Sequence, residues 1–256
     1  MQLDYLLRTM RDNFPLIGRP MVLYKASCED NKAGYTLLER MRFDEANIYE
    51  EQDFNINTRN LVDCFRKDLC MFLCDDNVFI NRLELQEMLD LSSLLEKNED
   101  IHSLSLRMHP KVTYCYPAKK EMKQPDYDII TGYYNYMRWD WTKAEDQHTC
   151  WGYPMAINTH IYRTNDIKEI IERGAFNNVN SLESHINRNR WKDKPLMISP
   201  LRPIIFDVCN NYVKDGECGD ECLTRKWLDG YQIKNITNIP DNACHGVVNL
   251  NLEKRK

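Results

Sequence analysis

The chain contains few residues that break regular structure, and it lacks the motifs of several common enzyme classes. Only 9 glycines and 10 prolines occur among 256 residues, while 43% of the residues are hydrophobic, which excludes a disordered or repetitive protein. No glycine pattern of a dinucleotide-binding fold or a P-loop is present, and neither H-E-x-x-H nor G-x-S-x-G occurs. Dinucleotide binding, P-loop hydrolysis, zinc proteolysis and α/β-hydrolase chemistry are therefore not indicated.

Long apolar runs are also absent. The longest uninterrupted run covers residues 69–74, far short of the roughly 18 residues that a membrane-spanning helix needs. The N-terminus reads Met1-Gln2-Leu3-Asp4, with an early acid and no apolar signal core. We therefore expect an intracellular protein without a membrane span, cytoplasmic, or in the host cytoplasm if the chain is viral.

Positive charge is scarce. The formal net charge is −5. Residues 1–128 carry 17 Lys and Arg against 23 Asp and Glu, and residues 129–256 carry 17 against 16. Neither half offers the strongly basic face that binding to a phosphate backbone requires, so nucleic acid is not an expected partner.

The ten cysteines are scattered along the chain. Several lie in apolar surroundings, where a thiol behaves as a small hydrophobic group, so we expect reduced thiols. The one tight pair, Cys218 and Cys222, has the spacing of half a zinc site. No second pair at metal-ligand spacing accompanies it, and zinc is not predicted.

Hydrophobic periodicity predicts alternating helices and strands in the first half. Apolar residues at helical spacing predict helices over residues 3–10 and 82–97, and short apolar runs predict strands at residues 21–24, 103–108 and 112–116. Residues 33–67 indicate two helices with a connection. Residues 69–74 are apolar at every position, which predicts a strand buried on both faces, as in a parallel sheet covered by helices.

The second half is less regular. Residues 133–153 are rich in aromatic side chains and indicate a loop. Two short helices are predicted from capping boxes, one pairing Asp166 with Glu169 and ending near Gly174, the other pairing Asn180 with Glu183. A strand is predicted at residues 203–208, whereas the polar tail from residue 209 is not assigned. No interdomain linker is evident, so residues 1–256 are interpreted as one domain.

The sequence Asp75-Asp76-Asn77 is the strongest candidate for chemistry. Two carboxylates and an amide follow the predicted buried strand, at the carboxyl end where open α/β sheets bind ligands. Hard oxygen ligands of this kind hold Mg²⁺ or Mn²⁺. The alternative is a solvated turn in which one of these side chains caps the next helix.

Residues 72–79 read F-L-C-D-D-N-V-F. This block is similar to the D-x-D-type motif of GT-A glycosyltransferases found in bacteria and in large DNA viruses such as chlorella viruses. The other blocks lie at residues 22–27, 105–110, 151–155, 160–164, 180–183, 227–230 and 243–245. The resemblance covers nearly the whole chain, and it is specific in the order of the blocks rather than in any single block.

The resemblance implies an α/β fold of GT-A type, with a mostly parallel sheet flanked by helices. The first strand of that fold is expected to be missing, because the chain starts at the helix over residues 3–10. Residues 1–128 would form the nucleotide-sugar and metal-binding half. Residues 129–256 would form the acceptor-binding half and a C-terminal extension.

The implied activity is metal-dependent transfer of a sugar from a nucleotide-diphosphate sugar, UDP-linked, to a glycan hydroxyl, with inversion. A cation suits a chain without a glycine-rich phosphate cradle, because the leaving diphosphate builds negative charge. One alternative is a catalytically silent carbohydrate-binding or scaffold protein that has lost donor binding. Another is a metal-dependent phosphoesterase or nuclease that uses the same acids.

The resemblance and the chemistry of transfer also suggest individual roles. Mn²⁺ or Mg²⁺ would be held by Asp75, Asp76, Asn77 and His245. Donor contacts would come from Lys25, Asp75, Asp76 and Arg107. Glu183 is the first candidate for the catalytic base, and Asp146 is the second. Acceptor contacts would come from Trp139, Asp140, Trp141 and Trp151.

Each role has a structural alternative. Glu183 is also the last residue of a predicted capping box, His245 is also consistent with an exposed or structural histidine, and Lys and Arg at strand ends are usually solvated. The three tryptophans could equally fill the core.

Overall fold

The computed structural model describes residues 1–14, 18–209 and 223–255. Helices and strands alternate through its first half, as the periodicity predicts. They are α1 (Gln2–Asn13), β1 (Met21–Tyr24), α2 (Glu29–Met41), β2 (Asn47–Glu50), α3 (Phe54–Cys64), β3 (Leu69–Met71), β4 (Asn77–Phe79), α4 (Leu85–Lys97) and β5 (Ile101–Ser105). The connection expected between the two helices of residues 33–67 contains strand β2.

The second half holds more strands than the sequence predicts. Its elements are β6 (Tyr114–Cys115), β7 (Lys120–Glu121), β8 (Tyr127–Ile130), β9 (Tyr136–Asp140), short 3₁₀ helices at Trp141–Lys143 and Cys150–Gly152, β10 (His160–Arg163), α5 (Thr164–Glu172), α6 (Val179–Arg188), β11 (Leu196–Pro200), β12 (Ile205–Val208), α7 (Leu223–Leu228), β13 (Tyr231–Thr237), β14 (His245–Gly246) and β15 (Asn249–Lys254). Because β9 lies inside residues 133–153, the prediction of a loop there is wrong.

A six-stranded sheet in the order β3-β10-β5-β11-β9-β8 forms the centre of the fold. Only β5 and β11 pair in parallel, and the other pairings are antiparallel. The expectation of a mostly parallel sheet is therefore wrong for this sheet. The short connection between β8 and β9 explains one antiparallel pairing, because a parallel pairing needs a crossover of a dozen or more residues.

Strand β3 differs from its prediction in burial. Its three residues are half-buried rather than buried on both faces, because β3 lies at the edge of the sheet and pairs only with β10. The acids nevertheless follow this strand as predicted. Asp75 and Asp76 form the turn that leads from β3 into β4.

After that turn, β4 enters a separate three-stranded sheet in the order β14-β12-β4. Asn77 is paired with Asp207, and Asp207 with His245. Side chains alternate between the two faces of a strand, so these three polar residues share one face. The opposite face carries Val78, Phe206 and Val208, which pack in an apolar cluster with Tyr5 of α1.

Strands β1 and β2 form a small parallel sheet of their own. The strand predicted at residues 21–24 is confirmed in its bounds, although its residues are half-buried. Within the described part of the chain, β1 pairs with β2 alone.

Helices α1 and α4 cover the main core with their apolar faces. The largest buried cluster contains Leu6, Leu7 and Met10 of α1 together with Leu91 and Leu95 of α4. Because each helix buries one apolar face, the spacing of its apolar residues predicts it. No helix within the described ranges combines the length and apolarity needed to cross a bilayer.

Candidate active site

Asp207 of β12 is the centre of a buried network of charged and polar side chains. Its Oδ1 accepts a hydrogen bond from Asn77 Nδ2 at 2.6 Å. Its Oδ2 accepts from Arg107 Nη1 at 2.7 Å and from Asn158 Nδ2 at 2.8 Å, and it lies 2.9 Å from His245 Nε2. We call these five residues the Asp207 cluster.

The cluster keeps its ionisable members, Asp207, Arg107 and His245, charged although they are buried. Burial raises the pKa of Asp207, but His245 and Arg107 outweigh that effect and hold it below its usual value. For His245, burial and Arg107 lower the pKa, whereas the Asp207 carboxylate raises it to about 9. Opposite charges at hydrogen-bond distance thus offset the cost of removing each group from water.

The turn formed by Asp75 and Asp76 lies beside this cluster. Its backbone is tied to β12, because Val208 N donates to Asp76 O at 2.9 Å. Asp76 Oδ1 is buried and has no hydrogen-bond partner among the described residues. Burial, followed by the charges of Asp207 and Asp75, raises the pKa of Asp76 to about 7.

These observations test whether the turn suits a divalent cation. A buried carboxylate oxygen without a partner and two adjacent acids that repel each other are relieved by a hard cation. Asp75 is exposed, and a shallow recess touches both acids, its other lining residues including Tyr5, Val78 and Ile233. The residues present therefore fit Mn²⁺ or Mg²⁺ at Asp75 and Asp76.

Two other predicted metal ligands are engaged elsewhere. Asn77 Oδ1 accepts from Cys74 N at 2.8 Å, and its Nδ2 donates to Asp207. His245 Nε2 lies against Asp207, and its Nδ1 faces Cys150 and Cys244. In this arrangement both residues position Asp207 and its surroundings.

Glu183 lies in α6 and is free of the capping role that the sequence suggested. The observed N-cap is Asn178, which exchanges hydrogen bonds with Ser181. The capping box therefore begins two residues earlier than predicted. Glu183 Oε1 instead accepts from Ile157 N at 3.3 Å. Burial raises its pKa, with Arg107 opposing the shift.

Arg107 is buried within the Asp207 cluster rather than solvated. Only 3% of its surface is exposed, and its Nη1 donates to Asn158 as well as to Asp207. In this structure it orients a carboxylate.

Three predicted polar residues have contacts away from the Asp207 cluster. Lys25 is largely exposed and pairs with Glu51 at 3.1 Å. Asp146 pairs with Lys120, and that contact is the main reason that its pKa is lowered. Asp140 caps the 3₁₀ helix that follows it, accepting from Thr142 N at 3.0 Å.

The tryptophans predicted to contact an acceptor fill the core instead. Trp139, Trp141 and Trp151 are each at most 2% exposed. Their indole nitrogens donate to backbone carbonyls, namely those of Trp151, Lys194 and Val112. A ring enclosed on both faces has no surface on which a sugar can stack, so the core alternative is correct.

Sequence reasoning missed Asp207 and Asn158. Asp207 carried a signal, because it is the single acid in an otherwise apolar strand, and an unpaired acid is almost never fully buried. Asn158 lies outside the helices and strands and carries no comparable signal.

Comparison with known proteins gives one informative similarity. No model of a protein family matches the chain. A protein of Dictyostelium discoideum named "bifunctional glycosyltransferase pgtA" is 28% identical over 258 aligned positions, which cover 91% of this chain and 32% of that protein. The chain thus spans about a third of the length of this relative and is similar to it along almost its own entire length.

Proposed function

We propose that the chain is a glycosyltransferase that moves a sugar from a nucleotide-diphosphate sugar to a glycan hydroxyl. The similarity to a protein named as a bifunctional glycosyltransferase supports glycosyl transfer in general. The observation that carries the proposal is the partnerless, buried Asp76 oxygen beside the exposed Asp75, with the charged Asp207 cluster behind both. A UDP-linked donor and a cytoplasmic location are parts of the same proposal.

Asp75 and Asp76 would hold Mn²⁺ or Mg²⁺ at the turn between β3 and β4. When bound, the cation supplies positive charge that offsets the charge developing on the departing diphosphate. Burial, followed by the charges of Asp207 and Asp75, raises the pKa of Asp76 to about 7. Its ionised form is therefore costly in the metal-free chain, and a neighbouring cation would offset that cost.

The Asp207 cluster would support these two acids from behind. Asn77 and Val208 connect β4 and β12 to the turn through side-chain and backbone hydrogen bonds. Arg107 and His245 hold Asp207 ionised, and the charge of Asp207 in turn raises the pKa of Asp76. The cluster thereby fixes both the position and the potential of the proposed ligands.

Glu183 would accept the proton of the acceptor hydroxyl in an inverting transfer. Its raised pKa brings it closer to neutral pH, where a general base works efficiently. It is electrostatically coupled to Arg107, Asp207 and His245. Asp146 is less suited, because Lys120 stabilises its charged form.

A screen of nucleotide sugars for turnover with Mn²⁺ tests the activity. We expect release of the nucleoside diphosphate to require the cation and to fall by two or more orders of magnitude in Asp76→Asn. Asp193→Asn is a matched control, since Asp193 is exposed, and should retain turnover. Equal turnover with and without divalent cations would contradict the proposal.

Isothermal titration separates binding from chemistry. UDP should bind to the unmodified chain only with Mn²⁺ present, and Glu183→Gln should keep this binding while losing turnover. Glu172→Gln, on the exposed face of the neighbouring helix, is its control. Absence of both UDP binding and donor turnover with Mn²⁺ present would instead favour the silent carbohydrate-binding or scaffold protein that has lost donor binding.

A further inference from the structure

Three buried thiols and one imidazole converge next to the Asp207 cluster. Cys150 Sγ, Cys244 Sγ and a ring nitrogen of His245 lie within 4.8 Å of one another. Cys115 Sγ lies 3.6 Å from Cys150 Sγ, and all four residues are buried. We call these four residues the thiol cluster. Its members come from β6, from the second 3₁₀ helix and from the segment entering β14.

We propose that the thiol cluster binds one Zn²⁺ ion. The ligands are Cys150 Sγ, Cys244 Sγ and His245 Nδ1, with Cys115 Sγ as the fourth. Sulfur and imidazole ligands in a closed set of four are typical of structural zinc sites. Mg²⁺ and Mn²⁺ prefer oxygen ligands, so this site is chemically distinct from the turn at Asp75 and Asp76.

The separations are those of a tetrahedral site before small adjustments. With Zn–S bonds of about 2.3 Å, two sulfur ligands lie about 3.8 Å apart, and a sulfur and a nitrogen lie about 3.6 Å apart. Cys115 and Cys150 have their sulfurs 3.6 Å apart. His245 Nδ1 lies 3.2 Å from Cys244 Sγ and 3.9 Å from Cys150 Sγ. Cys115 Sγ contacts Cys150 Sγ but is outside the group of three whose ligand atoms lie within 4.8 Å of one another, so its side chain would rotate toward Cys244 and His245 to complete the set of four.

The second ring nitrogen of His245 provides independent support. Its Nε2 lies 2.9 Å from Asp207 Oδ2 and 2.6 Å from Arg107 Nη1. A histidine that binds a metal through one nitrogen almost always donates the other N–H to a carboxylate or carbonyl, which fixes its tautomer and orientation. Asp207 occupies that place and leaves Nδ1 directed at the thiols, where Zn²⁺ would bind with release of the Nδ1 proton of the charged imidazole.

Arg107 supplies compensating positive charge. Its guanidinium is buried and interacts electrostatically with Cys244, Cys150 and Asp207. Thiolates are the metal-binding form of cysteine, and three of them with one imidazole around Zn²⁺ leave a net negative charge that the buried guanidinium would offset. The zinc ion would connect β6, the 3₁₀ helix at Cys150–Gly152 and β14, three segments distant in sequence, and so hold His245 against Asp207. The inference does not depend on the proposed glycosyl transfer.

Cobalt(II) titration of the unmodified chain is the first test. The chain is stripped of metal with a chelator under reducing conditions, and Co²⁺ is then added. We expect thiolate-to-cobalt charge-transfer bands and the visible bands of tetrahedral Co²⁺, saturating at one equivalent and disappearing when Zn²⁺ is added. Absence of these bands would overturn the proposal, and no variant needs to fold for this result.

Substitutions then locate the site. Cys150→Ser and Cys244→Ser should each weaken Co²⁺ binding by about tenfold or more, while Cys64→Ser, at an exposed thiol, should not. Cys218 and Cys222, the pair noted in the sequence, lie outside the described residues. Bands that vanish in Cys218→Ser/Cys222→Ser but persist in Cys150→Ser and Cys244→Ser would overturn the assignment.

Peptide mapping gives a readout that does not use metal spectroscopy. In protein purified without chelator, zinc should protect Cys115, Cys150 and Cys244 from alkylation, and chelation should expose them. All described cysteines are free thiols in this structure. Equal alkylation of these three cysteines before and after chelation would overturn the proposal.

Discussion

Two buried polar regions of the molecule differ in how far their polar atoms are satisfied. In the Asp207 cluster both carboxylate oxygens accept hydrogen bonds from buried donors. In the six-stranded sheet, His102 of β5 is buried with both ring nitrogens lacking partners among the described residues. His160, on the neighbouring β10, has an unpartnered Nε2, and its Nδ1 lies 3.3 Å from Pro154 O.

The comparison shows two ways in which a protein buries an ionisable group. The Asp207 cluster retains charge by pairing it, whereas the sheet histidines remain neutral. Burial lowers the pKa of His102 to about 3 and also lowers that of His160. Where function needs a fixed charge, pairing is required, and where a side chain only fills space, neutralisation is sufficient.

The largest effect is expected from Asp207→Ala. This change leaves Arg107 buried without its carboxylate, and breaking a buried pair costs about 3–5 kcal/mol of unfolding free energy. Urea denaturation followed by circular dichroism measures the loss. Asp12→Ala is the control, because Asp12 pairs with Arg11 on the surface, where a pair contributes about 0–1 kcal/mol. Equal losses in both variants would remove the distinction between the two kinds of pair.

The second-largest expected effect is a decrease in the free energy of unfolding as the pH falls. A histidine whose pKa is lowered by folding binds its proton more readily in the unfolded chain, so its contribution is complete above pH 6.5 and is lost as the pH falls. For His102 the loss should reach about 2 kcal/mol between pH 6.5 and pH 5.

The difference in unfolding free energy between the unmodified chain and His102→Leu, followed as a function of pH, isolates the contribution of His102. The other titrating groups are common to both proteins. Urea unfolding at several pH values should give a shallower loss in the variant. Parallel profiles would mean that the pKa of His102 is the same in the folded and the unfolded chain.

A smaller effect separates the two sheet histidines at pH 7. His102→Leu loses no hydrogen bond and should change the unfolding free energy by less than about 1 kcal/mol in either direction. His160→Leu removes the contact with Pro154 O and should cost about 1 kcal/mol more. Thermal unfolding of both variants gives the order, and the reverse order would contradict the hydrogen-bond assignment.

The smallest effect is expected from Lys25→Ala. Lys25 pairs with Glu51 at the surface, where the pair is screened by water and salt, so the loss should be below about 1 kcal/mol. Chemical denaturation at low and high salt measures it. A loss comparable to that of Asp207→Ala would show that Lys25 has a structural role beyond this pair.

Helices and strands could be predicted where apolar residues follow a single clear spacing along the sequence. Helices α1 and α4 have apolar residues at helical spacing, because each presents one face to the core. Strand β12 was evident as an apolar run. Strand β9 was not predicted, since its aromatic side chains are compatible with a loop and its pairing with β11 joins residues distant in sequence.

The candidate site was predicted in part for a similar reason. Asp75 and Asp76 were selected from a local pattern, whereas Glu183 and His245 came from the chemistry of transfer and from the resemblance. The structure brings all four into one electrostatically coupled region. Asp207 was missed because its importance arises from its neighbours across the sheet rather than from its own segment. The capping box of α6 was misplaced because Asn178 and Asn180 both fit the local pattern, and tertiary context decides between them.

The turn of Asp75 and Asp76 connects two different sheets, because β3 belongs to the six-stranded sheet and β4 to the three-stranded one. Phe79 of β4 and Leu104 of β5 lie in one buried cluster that connects these two sheets. Substitutions there are expected to shift the turn, and so to weaken the proposed binding of a cation without replacing either acid.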